Sequence, residues 1–195
     1  MARKAAPVVE ETNRRAELVR AAGRLFREQG YEATTIRDIA AAVGMRSGSP
    51  FYHFKSKEDM LKTVVLEGMQ SALAAIEAVL AQHLPPRKTF HALIRAHLDT
   101  ILVSGGDFAP VLLHEWRSLS PESRAEIVAS KDRYEKIWQK TLTDLKRAGL
   151  IADDSSLARL LIIGSINWTA QWYRPDGKLS IDKLAQRTAN FFLLS

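Results

Sequence analysis

Cysteine is absent from the 195-residue chain, and its absence excludes disulfide bonds and every site that depends on a thiolate. Only 5 histidines are present, and they show neither an i, i+4 pair nor an H-E-x-x-H pattern, so we expect no helix-borne metal site. The chain also has no glycine-rich phosphate loop and no motif built around a catalytic nucleophile. We therefore predict that the protein is not an enzyme and requires no cofactor.

Long apolar runs are missing as well. The N-terminus, MARKAAPVVEETNRR, has no apolar segment of signal-peptide length. The run LARLLIIGSINWTAQW is interrupted by Arg159, Asn167 and Gln171 before it reaches the roughly 20 apolar residues that a membrane-spanning helix needs. Hydrophobic residues at 46% and charged residues at 26% are typical of a globular chain. We predict a cytoplasmic protein with no membrane partner.

Acidic residues are scarce in the first third of the chain. Residues 1–57 hold 11 lysines and arginines against 6 acidic residues, a net charge of +5, whereas the remaining 138 residues carry 17 against 16. Nearly all of the chain's net charge of +6 therefore lies in this third. A basic excess of this kind favours contact with a polyanion such as DNA, although a solubilising surface would give the same distribution.

Strand-like alternation is also absent, and helical spacing is found almost everywhere. Apolar residues at i, i+4, i+7 and i+8 over residues 18–26 predict a first helix that ends at Gly30. A second helix is expected to begin at the capping pair Thr35 and Asp38 and to end at Gly44. The segment SGSPFYHF follows as a third helix. Three helices with a glycine turn between the second and third are the elements of a helix-turn-helix, whose third helix enters the major groove of DNA.

Pro50 bears on where that third helix begins. With Ser47 as the N-cap, Pro50 takes the third helical position. The N–H of that position has no intrahelical partner in any helix, so a proline costs little there. We therefore predict a recognition helix that begins at Ser47.

The remaining two thirds of the chain also have helical patterns. One helix opens at Ser56 and is terminated by Pro85-Pro86, and a break is expected at Gly105-Gly106. Further helices are predicted at about 88–103, 108–117, from Ser120 to Gly149, 154–173, and from Ser180 to the C-terminus. The expected fold is all-α with about nine helices. A helix-turn-helix domain covers residues 1–57, with residues 1–11 as a flexible arm, and a ligand-binding and dimerisation domain covers residues 58–195.

Three segments of the first third occur in a specific order: LFREQGYEATT at the end of the first helix, then IRDIAAAVGM, then GSPFYHFKSKEDML. With them, residues 12–62 resemble the DNA-binding domain of TetR-family transcriptional regulators. Pro50 and Phe51 depart from the pattern of that family, in which a leucine-like residue and often a tyrosine stand at these positions. The resemblance implies a homodimeric repressor that binds a palindromic operator in double-stranded DNA and releases it when a small hydrophobic effector occupies the C-terminal domain.

Two kinds of DNA contact are expected from residue chemistry and from this resemblance. The residues expected at phosphate groups are Thr35 with its helix N-terminus, Tyr52, His53, Lys55 and Lys57. The residues expected at base edges are Arg37, Arg46, Ser47 and Ser49. Phosphate contacts position a protein on DNA and base contacts specify the sequence. Because arginine to guanine is the commonest specific pairing, Arg37 or Arg46 is the favoured specificity residue.

All 4 tryptophans fall in the C-terminal part, which favours a large apolar ligand cavity there. The residues predicted to bind the ligand are Phe108, Leu112, Trp116, Arg117, Trp138, Asn167, Trp168, Trp172 and Arg174. The helix at 154–173 is apolar on several faces, so it is expected to be buried or to lie between its own core and a partner. The residues predicted at the dimer interface are Leu161, Gly164, Ser165, Leu184, Thr188, Phe191 and Phe192. A purely intramolecular core would explain the same pattern.

The segment INWTAQWYRPDGKLS resembles the C-terminal domain of TetR-family repressors of fatty-acid and steroid catabolism that respond to acyl-CoA thioesters. This second resemblance implies an acyl-CoA effector. The phosphates of such an effector need cations, and Arg117, Arg174 and Lys178 are the candidates. Two alternatives remain open. One is a multidrug-type TetR regulator that senses lipophilic cations or aromatic compounds, and the other is an all-α carrier of lipophilic ligands that never touches DNA.

Overall fold

The computed structural model of the chain describes residues 8–103 and 108–194. Every regular element in these two ranges is helical, which confirms the all-α prediction. The described residues form eight α-helices: α1 (Val8–Gln29), α2 (Ile36–Ala42), α3 (Lys57–Leu80), α4 (Pro86–Leu102), α5 (Phe108–Glu115), α6 (Pro121–Arg147), α7 (Ser156–Trp172) and α8 (Ile181–Phe192). Two short 3₁₀ helices accompany them, Trp116–Ser118 and Ser49–Tyr52. We call the latter the recognition segment.

Serine and threonine side chains begin most of these helices. At α2 the Asp38 N–H donates to Thr35 Oγ1 at 3.2 Å, and the Thr35 N–H donates to Asp38 Oδ2 at 2.8 Å. This reciprocal pair is the predicted capping box. Side chains also cap α3, α6, α7 and α8, through Ser56, Ser120, Ser155 and Ser180. Local chemistry therefore fixes where these helices begin.

The ends of the predicted elements need three adjustments. Helix α1 begins at Val8, so residues 8–11 are helical rather than part of a flexible arm, and residues 1–7 lie outside the described ranges. The break predicted at Gly105-Gly106 also lies outside them. Pro86, which was expected to terminate the preceding helix, lies in the first turn of α4, where the missing N–H would have no intrahelical partner.

The third helix of the helix-turn-helix differs from the prediction. The recognition segment is a 3₁₀ helix preceded by Gly48, with no side-chain hydrogen bond at its start, so the α-helix expected to begin at Ser47 is wrong. The His53 N–H donates to the Pro50 carbonyl at 2.9 Å, a three-residue turn. Pro50 lies in the first turn of this 3₁₀ helix, where its missing N–H needs no intrahelical partner, and Gly48 just before it has a low helix propensity.

Helix α3 is the central element of the fold, since it packs against α1, α4, α5 and α6. Within the described residues it is the one helix long and apolar enough to cross a bilayer by length and composition, with a mean hydropathy of 1.4. Its apolar side chains serve the protein's own core, because Met60, Leu61 and Ile76 are buried against neighbouring helices.

The core of the C-terminal part is centred on α4, which packs between α3 and α8 and also contacts α6 and α7. Phe90, Leu93 and Leu98 of α4 are fully buried, as is Trp138 of α6. The rings of Phe90 and Trp138 meet edge to face with centroids 6.3 Å apart, a favourable aromatic geometry. The contact between Phe90 and Trp138 holds α4 and α6 together.

Candidate nucleic-acid interface and ligand cavity

The residues predicted to touch DNA lie around the recognition segment and the start of α2. Arg37, Arg46, Ser47 and Lys55 are exposed, and Tyr52 is 84% exposed although its side chain is large and partly apolar. An exposed tyrosine among cations suits contact with a polyanion. The structure therefore presents these five side chains to solvent.

Two further residues predicted at phosphates already have partners within the protein. The Lys57 ammonium donates to the carbonyl oxygens of Tyr31 at 2.8 Å and of Thr34 at 3.0 Å, and it lies 4.1 Å from the centre of the Tyr31 ring. The Thr35 hydroxyl donates to Asp38 Oδ2 at 2.6 Å, and these hydrogen bonds lower the pKa of the Asp38 carboxyl. In this structure both side chains hold the turn between α1 and α2 in place.

The remaining residues of the recognition segment, and His53 directly after it, differ in their exposure to solvent. Ser49 and His53 are half-buried. Pro50 is buried, so it supplies apolar packing where relatives were expected to carry a leucine-like residue. Phe51, in contrast, is 57% exposed.

An apolar cavity of about 150 Å³ lies in the C-terminal part, between helices α3, α4, α5, α6 and α7. Leu113 and Lys131 are exposed and form part of its rim. Its wall consists of Met69, Ala72, His97, Thr100, Ile101, Phe108, Ala109, Leu112, Leu113, Lys131, Tyr134, Glu135, Ile163 and Asn167.

Three residues of the predicted ligand set line this cavity: Phe108, Leu112 and Asn167. The other six do not. Trp168 and Trp172 are 66% and 48% exposed on α7, and Trp116 is half-buried beside Arg124. A tryptophan's size predicts apolar contact but not whether that contact is with a void, the core or a partner, and these three face away from the cavity.

The last three of the six are placed in other ways. Trp138 is fully buried in the core, where its ring packs against His97 and Tyr134 of the cavity wall. Arg117 and Arg174 are exposed and lie outside the cavity wall, so the structure does not bring these two cations to the cavity.

The cavity wall contains a chain of three hydrogen-bonded side chains, Tyr134, His97 and Asn167, that the sequence did not predict. His97 Nδ1 lies 2.6 Å from the Tyr134 hydroxyl, and His97 Nε2 lies 2.8 Å from Asn167 Oδ1. His97 and Tyr134 are both buried. Burial lowers the pKa of His97 to about 4 and raises that of Tyr134, so both groups are neutral near pH 7. Because His97 and Asn167 are 70 positions apart, no local pattern reveals this chain.

Two cations and one carboxylate meet at the rim of the cavity. Glu135 forms an ion pair with Lys131, and a second with Arg159 at 2.8 Å. Arg159, which interrupts the apolar run of α7, is thereby paired and largely buried. Glu135 is the one carboxylate on the described wall, and both cations engage it.

Helix α5 connects this cavity to the helix-turn-helix. At its start, Phe108 lines the cavity and presses on α3, where a Cβ added at Gly68 would lie 2.2 Å from Phe108 Cγ. At its end, Glu115 Oε1 accepts a hydrogen bond of 3.0 Å from the Tyr31 N–H. Tyr31 in turn is held by Lys57 through its carbonyl and ring. A displacement of α5 therefore acts directly on the turn between α1 and α2.

An apolar stripe on α7 has no partner among the described residues. Leu157, Leu161, Gly164, Trp168 and Trp172 follow i, i+4, i+7, i+11 and i+15, and all five are exposed. We call these five residues the α7 stripe.

The other predicted dimer residues are divided between surface and core. Ser165 is exposed and Phe191 of α8 is 82% exposed, whereas Thr188 and Phe192 are half-buried. Leu184 is 6% exposed, so it belongs to the protein's own core and its assignment to the interface is corrected.

Among the side chains that the structure describes, no group of three or more histidine and acidic residues is arranged to hold a metal ion. The histidine with the strongest pKa shift, His97, has a tyrosine and an amide as its neighbours rather than carboxylates.

Two family models match the sequence. Residues 18–64 match the model described as bacterial regulatory proteins, tetR family. Residues 83–195, more than half of the chain, match the model described as the tetracyclin repressor-like C-terminal domain. The first range contains the recognition segment, and the second contains α4 to α8.

Individual proteins align over nearly the whole chain. The HTH-type transcriptional repressor KstR2 of Rhodococcus jostii is 28% identical over 186 residues, covering 94% of this chain and 91% of KstR2. The solved structure of AibR in complex with isovaleryl coenzyme A and operator DNA is 25% identical, with a TM-score of 0.83, covering 92% of this chain and 97% of AibR. A structure named superantigen pfit is 39% identical, with a TM-score of 0.78, covering 93% of this chain and 89% of its own.

Proposed function

Because the chain belongs to the TetR family of bacterial regulatory proteins, we propose that it is a homodimeric repressor that leaves its operator when a short-chain acyl thioester occupies the cavity between α3 and α7. It is a transcriptional regulator and not an enzyme. We place it in the cytoplasm, where its DNA lies. The carrier alternative is set aside, because the helix-turn-helix is a matched family domain.

The observation that carries the proposal is the double role of α5. The helix lines the cavity with Phe108 and Leu112, and seven residues after Phe108 it holds the Tyr31 N–H through Glu115. A ligand that fills the cavity must push against α5, since α5 supplies four of the wall residues. The push reaches α1 through the direct packing of α5 on α1, and it reaches the α1–α2 turn through the hydrogen bond to the Tyr31 N–H. Such contacts can shift the equilibrium between two conformations of the helix-turn-helix. Coupling between the ligand cavity and the DNA-binding surface requires a shift of this kind.

The proposed DNA surface consists of the exposed cations and hydroxyls around the recognition segment. Arg37 and Arg46 are the proposed base-reading residues, with Tyr52 and Lys55 on phosphates. Lys57 and Thr35 are also proposed to contact phosphates. Their side chains have partners within the protein as well, through which they hold the α1–α2 turn. We propose residue 57, where α3 begins, as the boundary between the two domains.

The α7 stripe is the proposed centre of the dimer interface, with Phe191 beside it. Its residues cover more than four helical turns of contiguous apolar surface, and patches of this kind mark interaction sites. A Cβ at Gly164 would meet no atom within 4 Å, so this position leaves space for close approach of a second helix. A dimer also presents two helix-turn-helix units, which suits a palindromic operator.

The size of the cavity favours a short acyl group as the effector. A cavity of about 150 Å³ is below the usual range of roughly 300–1,000 Å³ for drug-sized ligands, and a cavity of similar size holds benzene in another protein. It therefore fits an acyl chain of about six carbons or fewer, with coenzyme A extending beyond the rim at Leu113 and Lys131. AibR, whose fold this chain shares, binds isovaleryl coenzyme A. That likeness supports a branched or short acyl thioester here.

A lipophilic cation is a poorer match to the same wall. Such a ligand needs a free carboxylate or an exposed aromatic face to offset its desolvation. The carboxylate of Glu135 is paired with Lys131 and Arg159, and His97 offers no negative charge. The described wall therefore lacks an unpaired carboxylate for a cation, whereas the rings of Phe108 and Tyr134, which line it, suit a small aromatic compound as well as an acyl group.

The proposal is tested by a gel shift with the DNA upstream of the protein's own gene. We expect isovaleryl-CoA and other acyl-CoA thioesters of four to six carbons to release the DNA, and free CoA to leave it bound. Release by hydrophobic cations but by no acyl-CoA would contradict the proposed effector class. Failure to retain any upstream DNA would contradict the proposed operator.

A further inference from the structure

The chain Tyr134–His97–Asn167 lies on the apolar part of the cavity wall and ends in a side-chain amide that is only partly hydrogen-bonded. Both ring nitrogens of His97 are engaged, at 2.6 Å by Tyr134 and at 2.8 Å by Asn167 Oδ1. The amide nitrogen of Asn167 has no hydrogen-bond acceptor among the described residues. Asn167 is half-buried and lines the cavity, so this nitrogen is left for a ligand.

The direction of the hydrogen bonds follows from the protonation states. Since burial keeps His97 neutral, one ring nitrogen donates and the other accepts. The Tyr134 hydroxyl has no other described acceptor, so it donates to Nδ1, and the proton on Nε2 then donates to the Asn167 carbonyl oxygen. Both hydrogens of the Asn167 amide nitrogen therefore remain as donors. The hydrogen bonds from Tyr134 through His97 orient the Asn167 amide, so its N–H groups face the cavity.

We infer that the Asn167 amide donates a hydrogen bond to the carbonyl oxygen of the effector's thioester, and that Tyr134 and His97 position this amide. The inference rests on the proposed function and deepens it, because it names the atom by which an acyl ligand is distinguished from a hydrocarbon. Asn167 and Ile163 lie one turn apart on α7, so the carbonyl is held on the α7 side while the acyl chain points toward Phe108 and Leu112.

The same geometry selects for a neutral carbonyl. The free carboxylate of a fatty acid would lose its hydration among these apolar side chains, and Lys131, the cation on the described wall, already pairs with Glu135. A thioether that lacks the carbonyl oxygen would leave the amide donors of Asn167 unsatisfied. An unsatisfied buried donor costs more than a typical hydrogen bond contributes, so sites of this kind reject the analogue.

The test compares isovaleryl-CoA with its thioether, S-isopentyl-CoA, by calorimetric titration of the full-length protein. The two probes share coenzyme A and the branched chain, and they differ in the carbonyl oxygen. We expect the thioester to bind roughly tenfold more tightly, the value of one satisfied hydrogen bond of about 1.4 kcal/mol. Equal affinities for the two probes would overturn the inference. If neither probe binds or releases DNA, the proposed acyl-thioester effector itself fails.

Variants test whether the hydrogen-bonded residues Tyr134, His97 and Asn167 cause the preference for the thioester over the thioether. Asn167→Leu keeps the side-chain volume and removes the amide, and we expect it to bind both probes with the same affinity. Tyr134→Phe leaves the ring in place but frees Nδ1, and we expect it to lose part of the preference. Gln171→Leu, an amide removed one turn later on the exposed side of α7, is the matched control and should retain the full tenfold. A preference that survives in Asn167→Leu would overturn the assignment, and the wild-type comparison stands even if this variant fails to fold.

Discussion

At the scale of single residues, His97 sets the character of the cavity because it is buried without a charged partner. Its imidazole contacts Tyr134 and Asn167, and the rings of Tyr134 and Trp138 pack around it. Desolvation lowers its pKa to about 4 from the ordinary 6.5, and the hydrogen bond with Asn167 offsets only part of that effect. The cavity therefore stays uncharged at this point over the whole physiological pH range.

The shifted pKa of His97 predicts a dependence of stability on pH. The unfolded chain takes up this proton below pH 6.5 and the folded protein resists it until about pH 4, so stability is full above pH 6.5 and falls between these values. By pH 5 the loss from this residue is about 2 kcal/mol. Urea unfolding at pH 7 and pH 5 should show a smaller decrease for His97→Gln than for the wild type. Identical decreases would contradict a buried neutral His97.

Single residues also show where sequence reasoning reaches its limit. Trp138, Trp168 and Trp172 have the same chemistry, yet one is in the core and two are exposed on α7. Asn167, a predicted ligand residue, lines the cavity, but its partners His97 and Tyr134 were not predicted because they are distant from it in sequence. Tertiary proximity, not residue type, decides which side chain meets a cavity.

At the scale of elements, helix starts were the most predictable feature. Thr35, Ser56, Ser120 and Ser180 cap helices as expected, because the hydrogen bond from a side-chain oxygen to a backbone N–H needs only neighbours in sequence. The recognition segment was mispredicted because Pro50 suits several first-turn geometries equally well. The choice of a 3₁₀ helix reflects the burial of Pro50, which local rules do not describe.

The contact between α3 and α5 predicts the effect of a small substitution. Gly68→Ala places a methyl group where Phe108 now lies, so α5 must move away from α3 as it would for a bound effector. We expect overpacking to lower the stability by about 1–3 kcal/mol. We also expect weaker operator binding in the absence of effector. Thermal unfolding and a gel shift measure the two effects. Ser71→Ala, an exposed position one turn later on α3, is the control and should change neither. Operator affinity unchanged by Gly68→Ala would contradict the role of α5.

At the scale of the whole molecule, the exposed α7 stripe and Phe191 predict an obligatory partner. Leu161→Glu places a charge in the centre of the proposed interface, where Leu161 is 61% exposed in the single chain. We expect this variant to sediment as a monomer and to lose operator affinity by a factor of ten or more, because one helix-turn-helix makes only half of the contacts. Val128→Glu, an exposed apolar position on α6, is the matched control. A Leu161→Glu protein that remains dimeric would exclude the α7 stripe as the interface.

Polar contacts join α1, α3, α5 and α6 near the DNA side, among them the ion pair of 2.6 Å between Arg15 of α1 and Glu67 of α3. Besides the bond between Glu115 and Tyr31, Glu58 at the start of α3 accepts hydrogen bonds from the Ser120 N–H at 2.9 Å and from the Ser123 hydroxyl at 2.8 Å. The contact through Glu58 holds α6 against α3 and does not involve the cavity helix α5. The contact through Glu115 is therefore the one expected to transmit occupancy of the cavity.

The most direct measurement is the affinity of isovaleryl-CoA with and without operator DNA, in the wild type and in Glu115→Leu. Coupling is reciprocal, so operator should weaken effector binding by the factor by which effector weakens operator binding, on the order of 5–150-fold. In Glu115→Leu, which removes the acceptor for the Tyr31 N–H, we expect each ligand still to bind alone while the factor falls toward one. Glu122→Leu, an exposed acid in the first turn of α6, should keep the wild-type factor. A full coupling factor in Glu115→Leu would contradict transmission through α5.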